Sequence, residues 1–524
     1  MGSERLTLAD CVAGASVACV LIPQSLAYAD LAGMPASHGL YASALPPIVA
    51  ALCASSPYLQ TGPVATTSLL ALGALSHMAT PQTPPYVALA ALLALVVGVT
   101  RIAFGLLRFG RVAFLMSHPV LVGFLNAAGI LILASQLANA VGVTPPPGSL
   151  LERALWTLLH PGAWQVSSVV LTLVTAGIML GARRLHPLVP GVLIALAAGI
   201  LYSRLTGYAG PVAGAVPAGF PPFSLALPWR ELGHMIGPGL VIALVGFAEP
   251  AAIARTYAAQ DRRPWNADRE FVSQGLANIA AAVSSGFPVG ASFSRSEISR
   301  IAGARTRWTG AVTGVVLLAF LPFAGILAAL PRAVLASMVI VSVFKFMRLG
   351  TLVRMGRLSR PQAIVGWATF GFAILLAPRI DRAVMIGIGL AILVHLWREL
   401  RVHVRSKYEA GTLRLEPKGV LFFASAPILY QTFLNELAAH PQAEKLVIDL
   451  RHLGRVDLTG ALALKELKRE AEAAGLEVEL VGEPPQAWRL IKRVMADGQM
   501  KSRTPSTKST SDVPRRSSIH GDQR

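Results

Sequence analysis

Apolar runs of bilayer length recur through the first four hundred residues, and no other feature limits the possible folds as much. A helix rises about 1.5 Å per residue, so roughly 20 residues cross the hydrocarbon core. Inside it, only helices and closed barrels satisfy their own backbone. The first seven such segments are Leu8–Ala27, His38–Ala54, Ala65–Met78, Val87–Leu107, Val112–Leu137, Val166–Gly181 and Pro187–Tyr202. The next seven are Ile236–Ile253, Phe271–Ser285, Ala291–Ile301, Gly310–Leu330, Ala333–Phe346, Gln362–Leu376 and Arg382–Leu396. Residues 1–400 therefore read as a polytopic α-helical transmembrane domain of fourteen spans. The run after Met1 to Glu4 continues past any plausible cleavage position, so it reads as a first membrane helix and not as a signal peptide.

Composition agrees. The chain is 54% hydrophobic and 14% charged, against about 45–50% and 25% in soluble domains. A net charge of +19 would ordinarily raise nucleic acid as a partner. Here the basic residues lie mostly between apolar runs, where membrane orientation accounts for them, so nucleic acid is set aside. Cys11, Cys19 and Cys53 sit in apolar segments without ligand spacing, and neither a metal nor a cofactor is expected.

Arginine is distributed unevenly over the loops. One set carries Arg101, Arg108, Arg111, Arg183, Arg184, Arg255, Arg262, Arg263, Arg269, Arg300, Arg305, Arg307, Arg348, Arg354, Arg357 and Arg360. The alternate set carries only Arg153, Arg204, Arg230, Arg332, Arg379 and Arg382. Positive charge stays inside. The expectation is a multi-pass protein of the inner (cytoplasmic) membrane with both termini cytoplasmic.

The third and tenth segments are short and start beside Pro63 and Pro288. Thr61-Gly-Pro-Val-Ala-Thr-Thr-Ser68 resembles Gly286-Phe-Pro-Val-Gly-Ala-Ser-Phe293, and Pro23-Gln24 and Glu249-Pro250 lie at nearly the same offset. Seven spans separate the members of each pair, and an odd number inverts the second copy. Interrupted helices at matching positions of two inverted halves mark a transporter binding site.

A helix that begins inside the membrane has free N–H groups and the positive end of its dipole, which suits an anion. Two such ends are expected, at residues 62–67 and 287–292. Thr66, Thr67, Ser292 and Ser294 offer hydroxyls, and Gly290 and Ala291 allow close approach to the backbone. For each hydroxyl the competing reading is a bond to its own helix. Arg295 adds a cation; the competing readings are a snorkelling side chain or an ion pair with Glu297. Gln24 offers an amide, and Tyr28 and Phe287 offer apolar walls, or are ordinary packing. Glu249 is the one ionisable residue of its span. A carboxylate is costly there as an ion, so it is expected to carry a proton with the anion, or else to bond the break at Pro250. No GxxxxGK[ST] motif is present, so the energy is expected from a gradient and not from a nucleotide.

Past His403 the pattern changes. Strand-like residues 411–423, 444–450 and 477–481 alternate with a helical stretch at 460–474, which reads as a small α/β domain over 411–499. Residues 401–410 read as a linker and 500–524 as a disordered tail.

These residues together resemble the SulP family, also called solute carrier family 26. The resemblance rests on Ile22-Pro-Gln-Ser-Leu-Ala-Tyr28, Gly39-Leu-Tyr41, Thr61-Gly-Pro-Val64, Ser117-His-Pro-Val-Leu-Val-Gly-Phe124 and Ser294-Arg295. The C-terminal part resembles a STAS domain, and the match runs from about Leu6 to Lys492. His38 and Ser56-Pro57 depart from the family pattern. Asp457-Leu-Thr-Gly460 stands where anti-sigma-factor antagonists have Asp-Ser-Ser-Gly, which makes Thr459 a regulatory candidate, or a helix N-cap. The resemblance implies a seven-plus-seven inverted repeat with core and gate subdomains, elevator-like movement and a homodimer. Implied substrates are sulfate, bicarbonate, chloride and dicarboxylates such as fumarate. The expectation is a secondary active anion transporter, not an enzyme, that works by proton symport. The alternatives are an uncoupled exchanger or channel, a nucleobase permease of the same fold, and a signalling receptor.

Overall fold

The computed structural model describes residues 5–110, 117–185, 190–214, 216–217, 219–224, 226–344, 347–399, 403–482 and 484–496. The expected tail at 500–524 lies outside them. Two compact units are present, one ending at Ile392 and one starting at Leu393.

The first unit is helical. Its first half comprises α1 (Leu8–Leu31), α2 (Ala36–Cys53), α3 (Ala65–Leu75), α4 (Pro84–Leu106), α5 (His118–Val141), α6 (Leu150–Leu159), α7 (Val166–Leu185) and α8 (Gly191–Thr206). Its second half comprises α9 (Leu232–Gln260), α10 (Ala267–Val283), α11 (Phe293–Ile301), α12 (Trp308–Phe320), α13 (Arg332–Phe344), α14 (Leu349–Leu358), α15 (Arg360–Leu375) and most of α16 (Ile380–Glu399), whose residues from Leu393 on fall in the second unit. Each of the fourteen expected segments overlaps one of these helices, and among the described residues eight stretches are long and apolar enough to cross a membrane, those starting at Trp308 and Arg332 only together with the elements that follow α12 and α13. α3 and α11 are short, as the prolines require.

α6 and α14 were not among the expected segments. Each has ten residues with apolar side chains on one face, too few to span a bilayer, so hydropathy alone passes over them. Arg101 is a correction of a different kind. It is not a loop residue but lies within α4, fully buried. One arginine inside an apolar run looks, in sequence, like the end of that run.

Packing follows the repeat. α4 lies against α10, and α2 lies against α12; exchanging the two halves turns one contact into the other. α5 against α15 and α13 against α7 are related in the same way, as are α1 against α11 and α9 against α3. The helices thus form two groups, α1–α4 with α9–α12, and α5, α7 and α8 with α13–α15. In the first group α4 meets α10 backbone to backbone. A Cβ on either Gly98 or Gly275 would come within 2.8 Å of the other's carbonyl oxygen.

α1 is held at its start. Thr7 and Asp10 form a capping box. The Asp10 carboxylate also accepts from Arg305 N at 2.8 Å, Thr306 N at 2.9 Å and the Thr309 hydroxyl at 2.9 Å. One buried acid therefore joins the first helix to the entry of α12.

The second unit is a sheet with helices. Numbering follows β1 (Thr61–Gly62) and β2 (Gly290–Ala291) of the first unit. Its elements are β3 (His403–Glu409), β4 (Thr412–Leu421), α17 (Ala426–Ala439), β5 (Lys445–Asp449), β6 (Leu453–Val456), α18 (Leu458–Ala473), β7 (Glu477–Val481) and α19 (Trp488–Ala496). The strand order is β3-β4-β5-β7, with β6 also paired to β4. β3 is antiparallel to β4, and the other pairs are parallel. Leu413, Leu415, Phe433, Leu446, Ile448, Leu464, Leu467 and Ile491 fill its core. The expected linker at 401–410 is therefore, from His403 to Glu409, an edge strand. Its residues alternate between half-buried and exposed, and in sequence such a half-polar strand looks like a connector.

Candidate anion site between two short helices

The two proline-marked breaks meet. β1 and β2 pair antiparallel, with Thr61 opposite Ala291 and Gly62 opposite Gly290. Ser292 N adds a bond to Gln60 O at 3.2 Å. Proline cannot donate a ladder bond, so Pro63 closes β1 on its C-terminal side and Pro288 bounds β2 on its N-terminal side. α3 and α11 start on either side of this short ladder. Neither is capped by the side chain of its N-cap residue, Val64 or Ser292. Their N-termini keep donors available for another acceptor.

Arg295 occupies this junction. It is fully buried, and its Nη1 donates to Pro63 O at 2.9 Å and Gln24 Oε1 at 3.4 Å. Nε and Nη2 have no partner among the described residues. Nη2 lies 3.5 Å from where a Cβ on Gly62 would stand. The side chain neither snorkels nor pairs with Glu297, which is exposed. A buried guanidinium with two idle donors is costly unless something accepts from it.

Glu249 faces the same region from α9. It is half-buried, it accepts from Phe293 N at a long 3.4 Å, and it interacts with the Thr66 side chain and the Arg295 charge. Tyr28 is buried within electrostatic range of both Arg295 and Glu249. Gln24 is buried on α1 beside Pro23, its oxygen turned to Arg295. Ser292 and Ser294 are 3.2 Å apart, hydroxyl to hydroxyl. Gly290 and Ala291 are buried in the ladder itself.

Two of the expected residues stand apart from this polar group. The Thr67 hydroxyl donates to Val64 O at 3.2 Å in its own helix, and its methyl faces Gly246 and Gly290. Phe287 is fully buried in the large apolar cluster of the first unit. Thr459 is exposed at the second residue of α18, and the N-cap is Asp457, which accepts from Gly460 N at 2.7 Å.

A second layer, built of neutral amides and hydroxyls, was not expected. Asn278 accepts from Val289 N at 2.9 Å and donates back to Val289 O at 3.1 Å. Gln274 donates to Thr61 Oγ1 at 2.8 Å. Gln60 donates to Ser299 Oγ at 3.1 Å, accepts from Thr313 Oγ1 at 3.1 Å, and takes Ser296 Oγ on its backbone N–H at 3.0 Å. Ser68 is buried on α3 with a free hydroxyl among the described residues. The available signal is polar residues inside apolar runs, here Gln60, Ser68, Gln274 and Asn278.

Residues 8–369 match the Sulfate permease family, and residues 403–508 match the STAS domain. A "Probable sulfate transporter" of Mycobacterium tuberculosis is 31% identical over 503 residues, covering 90% of this chain and 89% of that protein. The "Sodium-independent sulfate anion transporter" of Bos taurus is 28% identical, covering 90% and 83%. In fold, the chain is similar to the murine solute carrier 26 family member A9 anion transporter in its inward-facing state. That similarity has a TM-score of 0.84 at 22% identity, over 94% of this chain and 88% of that one. The transmembrane domain of a cyanobacterial bicarbonate transporter is similar with a TM-score of 0.63 at 23% identity, over 75% and 98%. With its interrupted helices, its buried arginine and its C-terminal sheet domain, this chain belongs to the sulfate permease family of anion transporters and carries a STAS domain.

Proposed function

We propose that the chain is a secondary active transporter that carries a small oxyanion or dicarboxylate into the cell together with a proton. One observation carries this reading: Arg295 is fully buried at two opposed helix N-termini with two donors idle. A neutral nucleobase would leave that charge uncompensated, so an anion is favoured over the permease alternative. Glu249, weakly bonded and within range of Arg295, supplies the proton-carrying group. A channel or exchanger without proton coupling would give such a carboxylate no part in transport.

The two helix groups support movement of one against the other, an elevator in which α3 and α11 travel with their group. Sulfate, bicarbonate and fumarate all fit the chemistry of the donors. The homodimer rests on the family resemblance, and the cytoplasmic termini and inner membrane on the arginine distribution. Thr459, exposed near the start of α18, is the candidate regulatory position.

The test is uptake of labelled sulfate, bicarbonate or fumarate into proteoliposomes with and without an inward proton gradient. Proton symport predicts accumulation above equilibrium only with the gradient. Equal uptake in both conditions would leave exchange or a channel.

A further inference from the structure

We infer that Arg101 is a second fixed cation of the anion site and determines the valence of the anion taken, favouring a doubly charged oxyanion over a singly charged one. The inference rests on the anion-transport reading above and deepens it by naming a charge class.

Arg101 reaches from α4 to the backbone that frames the site. Its Nε donates to Ala243 O at 3.2 Å, Nη1 to Val289 O at 2.9 Å and Nη2 to Ile242 O at 3.3 Å. All three acceptors are carbonyls. They give each nitrogen one acceptor, but they leave the net charge in place, since a dipole carries none. Val289 directly precedes Gly290 of the ladder, and Ile242 and Ala243 lie about two turns before Glu249 on α9.

The distance to the site is one residue deep. A Cβ on Gly246 would meet Arg101 Nη2 at 2.6 Å and the Thr67 methyl at 2.9 Å. A Cβ on Gly290 would stand 3.6 Å from Gly246 O and 3.6 Å from the same methyl. Only a bare glycine leaves room for the guanidinium behind the ladder.

The charges then add up simply. Arg295 and Arg101 are two buried cations, and neither has a carboxylate hydrogen-bond partner among the described residues. Glu249 is the one carboxylate interacting with Arg295. A dianion entering with a proton on Glu249 restores neutrality; a monoanion entering the same way leaves one charge over. A unit charge about 8–10 Å away, at an effective dielectric of about 20, changes affinity roughly fifteen- to thirtyfold per unit of ligand charge. The divalent-to-monovalent ratio shifts by that same factor.

The experiment measures equilibrium binding of sulfate and of nitrate, at one pH, to the purified full-length protein. Wild type is expected to prefer sulfate. Arg101→Gln should lower the sulfate-to-nitrate ratio about tenfold or more, and Arg101→Lys should keep most of it. A strap that only holds backbone would weaken both anions alike and leave the ratio unmoved, which overturns the inference. So does a wild type that binds nitrate more tightly, a result that needs no variant to fold. A folded Arg101→Lys without the preference overturns it as well. Arg295→Ala keeps the two readings apart. If that change weakens neither anion, the anion site itself is wrong. If it weakens both while Arg101→Gln leaves the ratio alone, only the role of Arg101 fails.

Discussion

Arg295 Nη1 donates to Pro63 O across 2.9 Å, so the cation of the second short helix holds the residue that precedes the N-cap of the first. The two halves of the repeat are joined there by more than the ladder. A single side chain ties together both helix N-termini, and its Nε and Nη2 keep no partner among the described residues.

Replacing Arg295 should therefore act on binding first. Hydrogen bonds to charged groups contribute about 1.5–3 kcal/mol each. Arg295→Ala is expected to weaken sulfate binding about tenfold to a hundredfold, with partial recovery in Arg295→Lys, which keeps charge and loses the planar fork. Melting temperature should change little, since removal also relieves two idle buried donors. Unchanged affinity with a large fall in melting temperature would assign the residue to packing.

Glu249→Gln should separate binding from coupling. The amide keeps size and hydrogen bonding but cannot release a proton. Sulfate affinity is expected within a few-fold of wild type, while accumulation driven by a pH step disappears. Persistent gradient-driven accumulation would move proton coupling to another residue.

Asn278 tests the second layer. Its side chain bonds both backbone groups of Val289, and because Val289 O also accepts from Arg101, its loss leaves the buried Val289 N–H unpaired, at a cost of about 1–3 kcal/mol. Asn278→Leu should lower the melting temperature and loosen anion binding together. A variant with wild-type stability would mean that water or a neighbour accepts from Val289 N–H instead.

Truncation should be sensitive to whether β3 is kept. Removing residues 403–524 takes the whole sheet, and a monodisperse membrane unit is expected by size-exclusion chromatography. Removing 411–524 leaves β3 without β4, its partner along its full length, and an unpaired strand edge invites association. Identical profiles for the two truncations would show that β3 adds no such liability.

The STAS domain should carry an acid-sensitive group. Asp449 is buried at the end of β5, and its bonds with the Arg451 side chain hold its carboxyl down at about 2. A carboxyl depressed in the folded state stabilises above its unfolded value of about 3.9, and that contribution is lost as pH falls toward 2. Melting of residues 403–496 should be flat from pH 8 to 5 and fall below about pH 4, less steeply in Asp449→Asn. Equal acid slopes for the two proteins would remove Asp449 from the account.

Sequence alone determined the membrane class, the positions of the spans and the two breaks. Apolar run length reports burial directly, and Pro63 and Pro288 mark the extended segments that precede the two short helices. Gln24, Glu249 and Arg295 were also legible, because a polar group in an apolar run demands a reason. Tertiary structure decided the partners. That Arg295 reaches Pro63, that Arg101 lies inside the bundle and bonds Val289, and that Asn278 clamps the same residue are contacts between helices far apart in the chain. Periodicity shows which face of a helix is buried and is silent on what lies opposite. β3 was missed for the same reason: a half-polar strand becomes a strand only when β4 supplies the other half of its hydrogen bonds.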